Sequence, residues 1–195
     1  MATDAESRSG REPRYRAAVL TVSDLGSRGE REDTAGPAVV ELLERAGFDV
    51  AQPVLLPDEP DQIEELLRRW ADEADVALVV TTGGTGLSPR DRTPEATLRV
   101  LDHRVPGMEE AMRAASTAKV ASAMLSRAVV GVRARTLIVN LPGSERAARE
   151  NLDVVLPVLD HACSSIRGDT EETAQTHEQL QSERLDEGAS PGAGP

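Results

Sequence analysis

Residues 75–86 read DVALVVTTGGTG. The first eight form an apolar, β-branched run that barely alternates, which predicts a strand buried on both faces of a sheet. A loop follows, GGTGLSPRDR, over residues 83–92. Gly83, Gly84 and Gly86 allow positive φ, and backbone N–H groups freed in that way can turn inward as an anion nest. Thr82 and Thr85 add hydroxyl donors. The same residues would also serve as a tight strand-to-helix turn. The loop is not a Walker A sequence, because no Lys-Ser/Thr follows the glycines. Nor is it GxGxxG, because Pro89 stands where the third glycine would fall.

On the amino-terminal side, residues 16–23 (RAAVLTVS) predict another buried strand, followed by a polar loop, DLGSRGERED. A helix is expected over residues 34–46, with Pro37 in its first turn and Gly47 at its C′ position. Residues 49–56 read as a strand that Pro57 and Pro60 end. Ile63, Leu66, Leu67 and Trp70 then recur at helical spacing with one buried face. On the carboxy-terminal side, Thr93 and Pro94 predict an N-cap and first turn for a helix to Leu101. Pro106 and Gly107 precede a helix to about Ala121. Residues 127–133 and 135–140 predict a strand pair turning near Ala134. Ser144 is a plausible N-cap for a helix to Val155, and Pro157 is expected to restart another to about Ile166. This βαβαβα order predicts an α/β fold: three layers, α/β/α, around a mostly parallel central sheet.

The 195 residues suffice for one domain with tails. We divide them into a polar arm at 1–14, a domain at 15–167 and an acidic tail at 168–195, both ends being too polar to offset chain entropy. Lys and Arg total 22 against 34 Asp and Glu, a net charge of −12. Residues 169–195 hold seven acids against Arg184, so this end supplies half of that charge. With no basic stripe, nucleic-acid binding by counterion release is not expected. No apolar run approaches the ~20 residues that span a bilayer, and the N-terminus has no apolar signal region. Cys163, the single cysteine, cannot form an internal disulfide and suits the reducing cytoplasm. His103, His161 and His177 lie far apart, without zinc-ligand spacing.

The polar signals share one kind of location, the ends of strands. The first strand ends in Ser23-Asp24, the second in Pro57-Asp58, the third in the glycine turn and the last in NLPGS, Asn140 to Ser144. In an open parallel sheet the carboxyl ends form one edge, where ligands bind. Gly143 and Ser144 at a helix start could hold a phosphate or carboxylate, or simply cap the helix. Asp58 and Asp91 are either turn residues or hard oxygen ligands suited to Mg²⁺ with substrate phosphates. No Ser-His-Asp or Cys-His set is evident. A phosphate-monoester nucleophile, ionised at neutral pH, needs no general base. It needs a metal and oriented N–H donors, so phosphoryl or nucleotidyl transfer fits these loops.

Six segments complete the pattern in order: S-D-x-x-S-x-G-x-x-x-D-x-x-G (Ser23 to Gly36), L-x-P-D (Leu55 to Asp58), T-T-G-G-T-G-x-x-x-R-D-x-T-P-E-A-T (Thr81 to Thr97), P-G-x-x-E-x-M-R (Pro106 to Arg113), L-S-R-x-x-x-G-x-R (Leu125 to Arg133) and L-I-V-N-L-P-G-S (Leu137 to Ser144). Across about residues 16–166 the chain resembles the MogA/MoaB family of molybdenum-cofactor biosynthesis, which includes the G domain of gephyrin. The resemblance implies a homotrimer that binds molybdopterin and transfers AMP from Mg-ATP to its terminal phosphate, releasing pyrophosphate. By motif match, Asp58 and Asp91 are the catalytic carboxylates and candidate Mg²⁺ ligands. Thr82, Gly83, Gly84, Thr85 and Gly86 would cradle phosphate. Asn140, Pro142, Gly143 and Ser144 would line the same pocket, with Ser23 and Asp24 completing it and Ser126 a further candidate. The product would pass to a molybdate-inserting partner of the MoeA type. The alternative within the family is a MoaB-type protein that binds molybdopterin without turnover.

Overall fold

Strands form where the sequence carries its buried β-branched runs. The computed structural model describes residues 15–169, so the expected arm at 1–14 and residues 170–195 of the tail lie outside the described residues. One sheet contains β1 (Tyr15–Val22), β2 (Phe48–Val50), β3 (Val54–Leu56), β4 (Leu78–Thr82), β5 (His103–Arg104), β6 (Val130–Arg133) and β7 (Thr136–Leu141). The helices are α1 (Asp24–Ser27), α2 (Ala35–Arg45), α3 (Pro60–Asp72), α4 (Thr93–Val100), α5 (Pro106–Thr117) and α6 (Glu145–Arg167), with a 3₁₀ turn at Ala121–Leu125. The strand order is β2-β1-β4-β7-β6-β5, and β3 also pairs with β1. Pairing is parallel except where β6 runs against β7 and β5.

Alternation along the strands feeds two cores. Ala17 and Val19 of β1, Leu78 and Val80 of β4, and Leu137, Val139 and Leu141 of β7 meet Val39 and Leu43 of α2, Met112 of α5 and Leu152, Val155 and Leu159 of α6. Ala18, Leu20, Val79 and Ile138 point the other way, onto Ile63, Leu66 and Leu67 of α3 and Ala96 and Val100 of α4. Each fully buried Val or Leu side chain contributes about 1.5–3 kcal/mol relative to exposure. The expected three-layer α/β/α architecture with a mostly parallel sheet is the one adopted. Its two central crossovers leave β1 for β2 on one side and return from β3 to β4 on the other. Right-handed connections running in opposite directions place α2 and α3 on opposite faces and open a crevice at the carboxyl ends of β1 and β4.

Register makes that edge level. Val22 pairs with Leu56, Thr21 with Thr82, and Thr82 with Leu141. The four loops carrying the polar signals therefore leave the sheet side by side.

Several elements depart from expectation. The strand expected at 49–56 is two, because three steps along β1 from Ala17 to Leu20 match four from Val50 to Val54. The extra residue is a bulge next to Pro53, which lacks an N–H for the ladder. The helix expected to restart at Pro157 is instead continuous, Glu145–Arg167. Pro157 and Asp153, whose carbonyl it leaves unbonded, both face solvent, while Ala148, Leu152, Val155, Leu159 and Cys163 keep one buried stripe. Thr93 is not the cap of α4 but its first residue, fully buried, with Arg92 at the N-cap. The helix α5 ends at Thr117, and the polar loop after β1 begins with the short α1, capped by Ser23 Oγ accepting from Gly26 N–H (3.0 Å).

Candidate active site

Leaving β4, the chain makes two left-handed steps, Gly83 at φ 102° and Gly84 at φ 62°. A Cβ on Gly83 would collide with the Val22 carbonyl, and one on Gly84 with Thr93 Oγ1. The Gly83 N–H closes onto Leu141 C=O (3.2 Å), whereas the N–H groups of Gly84, Thr85 and Gly86 have no hydrogen-bond partner among the described residues. Adjacent free amides on a rigid turn at the end of a buried strand are what an anion nest requires. Thr82 is buried and its hydroxyl donates to Pro142 C=O (2.7 Å), so it joins two loops. Gly143 packs on the same turn, since a Cβ there would stand 3.1 Å from Gly83 Cα. Ser144 N-caps α6, its Oγ accepting from Ala147 N–H (3.3 Å). A second helix N-terminus thus abuts the glycine turn.

Both aspartates flank this turn. A Cβ on Gly84 would lie 2.9 Å from Asp58 Oδ1, and one on Gly86 would lie 2.9 Å from Asp91 Oδ2. Asp91 Oδ2 accepts from Ser88 N–H (2.8 Å), which fixes it within its loop. Asp58 is clasped to Asp24: Asp24 N–H donates to Asp58 Oδ2 (2.9 Å) and Asp58 N–H donates to Asp24 Oδ1 (3.0 Å). Burial holds the Asp58 carboxyl above the usual range, and the negative charges of Asp24 and Asp91 push the same way. Asp24 is held below it, chiefly by the hydrogen bonds from Arg90. A half-buried acid whose ionised form is disfavoured, beside a second acid and a row of free amides, is poised to gain a cation together with an anionic ligand.

The same chain segments are the matched part of known proteins. Residues 18–161 fit the family model described as "Probable molybdopterin binding domain". The chain is 41% identical over 152 residues to the molybdopterin adenylyltransferase of Helicobacter pylori strain J99, a match spanning 77% of this chain and 86% of that one. It resembles the solved structure of the molybdopterin biosynthesis enzyme MoaB from Thermus thermophilus with a TM-score of 0.75 and 55% identity, covering 79% of this chain and 97% of that chain. The chain belongs to the MogA/MoaB family. The Drosophila melanogaster molybdenum cofactor synthesis protein cinnamon is 38% identical over 165 residues, 84% of this chain. The chain spans 27% of the length of cinnamon, so family membership there concerns one part of a longer protein.

Within this MogA/MoaB domain the motif residues separate into those on the rim and those beneath it. Asn140 is fully buried: its amide donates to Thr81 Oγ1 (2.9 Å) and Thr97 Oγ1 (3.0 Å), so it braces β7 and β4 against α4 below the edge. Ser126 accepts from Ala128 N–H through its own Oγ (3.4 Å), and its neighbour Arg127 makes the contacts with the turn. Arg127 N–H donates to Thr85 C=O (3.0 Å) and its Nε to Gly86 C=O (2.7 Å), while its guanidinium also meets the Asp91 carbonyl and Glu95. Arg127 is not among the site residues expected from sequence; its only signal there is membership of the L-S-R segment. A depression of about 350 Å³ lined by Asp75, Ala134, Arg135 and Arg167 lies at the opposite edge, where the strands begin, and Arg167 is already paired there with Asp75.

Among the described residues no group of three or more potential ligands forms a ready-made metal cage. Two acids flanking a row of free amides still fit Mg²⁺, which usually takes one or two carboxylates and completes its shell with water and phosphate oxygens.

Proposed function

We propose that the chain is a molybdopterin adenylyltransferase, transferring AMP from ATP to the terminal phosphate of molybdopterin and releasing pyrophosphate. The observation that carries this reading is the placement of Asp58 and Asp91 on either side of the glycine turn, at the level carboxyl ends of the parallel strands. Asp58 and Asp91 would hold Mg²⁺, which supplies charge neutralisation between two anions that otherwise repel. The amides of Gly84, Thr85 and Gly86 orient phosphate oxygens, and Gly143 and Ser144 with the N-terminus of α6 add donors on the adjoining side. Thr82 and Pro142 fix the spacing of the two turns, Ser23 shapes the loop that presents Asp24, and Ser126 leads into Arg127. A molybdopterin phosphate oxygen forms the new bond to the α-phosphorus of ATP as the bond to pyrophosphate breaks. That nucleophile is already ionised, so no side chain need remove a proton.

The working form we propose is a homotrimer in the cytoplasm, handing its product to a MoeA-type molybdate-insertion protein. Cys163 is buried and burial pushes its thiol up to about 12, so it stays protonated and takes no part in the transfer.

The test is pyrophosphate release from molybdopterin, ATP and Mg²⁺. Asp58→Ala and Asp91→Ala are each expected to abolish release while leaving pterin binding largely intact. Normal turnover by both variants would remove the roles assigned to them. The family model's description names binding alone, which favours a second reading, molybdopterin binding without turnover. Tight molybdopterin binding by the unmodified chain with no pyrophosphate would establish it.

A further inference from the structure

Arg90 lies in the glycine-turn loop, one residue before Asp91, and its guanidinium reaches across the rim. Nε donates to Asp24 Oδ2 (2.9 Å), and Nη2 donates to Asp24 Oδ1 (3.0 Å) and to Glu59 Oε1 (2.7 Å). One cation therefore ties together the loops that follow β1, β3 and β4. Asp24 Oδ1, gripped by that fork, is also the acceptor for the Asp58 amide, and the Asp24 amide returns to Asp58 Oδ2. The plane of the Asp24 carboxylate is thus set by a bidentate donor, and the same carboxylate receives the Asp58 amide. Four acids, Asp24, Asp58, Glu59 and Asp91, gather here; Arg90 offsets the repulsion between them, and without it only the two amide hydrogen bonds oppose that repulsion and hold the clasp.

We propose that Arg90 is a positioning residue that acts through Asp24 to fix the place and direction of Asp58. The kinetic half of this inference rests on the adenylyl-transfer reading. Global stability is not where the role should be felt. The side chain of Arg90 is 52% exposed, and exposed ion pairs contribute little to folding. Geometry is where it counts, because a catalytic group displaced by ~1 Å can cost on the order of 100-fold in rate. A lysine offers a point charge in place of a planar fork and would hold the carboxylate in one place without fixing its plane.

The experiment compares Arg90→Ala, Arg90→Lys, Asp24→Asn and the double variant Arg90→Ala/Asp24→Asn with the unmodified chain. In steady-state adenylyl transfer, Arg90→Ala is expected to lower kcat by roughly 10- to 100-fold. KM for ATP should change less than kcat, since Arg90 itself is bound to Asp24 and Glu59 and is not placed on the nucleotide. Arg90→Lys should recover part of the loss. The double variant should be no slower than the slower single variant, because both act along one chain of contacts. Losses that multiply, or a rise in KM with kcat unchanged, would mean that Arg90 touches the nucleotide directly and would overturn the proposal. Hydrogen exchange on the substrate-free protein gives a reading that needs no activity. The Asp24 and Asp58 amides should exchange roughly tenfold faster in Arg90→Ala, with Tm lowered by no more than the small loss of an exposed ion pair. Unaltered exchange at both amides would also overturn it. If the unmodified chain releases no pyrophosphate, the functional reading fails, and the exchange result alone decides whether Arg90 positions Asp58.

Discussion

Gly84 carries two constraints at once, a left-handed φ of 62° and a Thr93 hydroxyl where a Cβ would go. Gly84→Ala is therefore expected to cost about 1–3 kcal/mol in chemical denaturation and to end pyrophosphate release by reshaping the nest. Asp58 and Asp24 titrate in opposite senses. Asp58 has its folded-state pKa raised, so at neutral pH its ionised form is worse off folded than unfolded. Asp58→Asn should leave Tm unchanged or higher at pH 7 while removing activity, a stability gain at a functional site. In the unmodified chain, the acid limb of kcat/KM should lie above the ordinary aspartate value of about 3.9. Asp24 has its folded-state pKa lowered, so its contribution is fully present above the unfolded value and is lost as pH falls through the folded one. The stability gap between the unmodified chain and Asp24→Asn should accordingly close as pH drops below the usual carboxylate range. Glycine and aspartate identities were legible in the sequence. The Asp24–Asp58 clasp and the contacts of Arg127 were not, because they join residues 34 and 41 positions apart.

Helices and strands followed local chemistry wherever burial and propensity agreed. The apolar stripe of α3, the Gly47 terminus beyond α2 with its φ of 91°, and the turn at Ala134 with its φ of 50° all lie where periodicity and turn residues put them. Failures came where tertiary contact outweighed a local signal. Pro157 is a helix breaker by propensity, yet α6 continues through it with a buried stripe on either side. Pro157→Ala should restore the bond to the Asp153 carbonyl and raise Tm, by a free energy below the ~3 kcal/mol of an unaccommodated helix proline. A fall in Tm would mean that the proline, by restricting the unfolded chain, was the stabilising choice. Thr93 has the side chain of a cap but is pulled inside the helix: its N–H is bound to Gly84 C=O (3.2 Å) and its hydroxyl is buried.

For the molecule as a whole, the proposed homotrimer is tested by sedimentation at micromolar concentration, where a mass of three chains is expected and a stable monomer would contradict it. Val120, Met124 and Leu125, around the 3₁₀ turn, are each more than half exposed. Local pattern alone determined that this protein is a layered α/β domain and that its strands end in glycine, aspartate and serine turns. Periodicity and turn chemistry act over a few residues, so they survive reading one residue at a time. Tertiary structure alone decided that the turns leave one edge level, that Asn140 braces from below, and that Arg90 and Arg127 hold the loops in place. Those outcomes depend on strand register and on side chains meeting across the fold, and neither exists until the sheet has assembled.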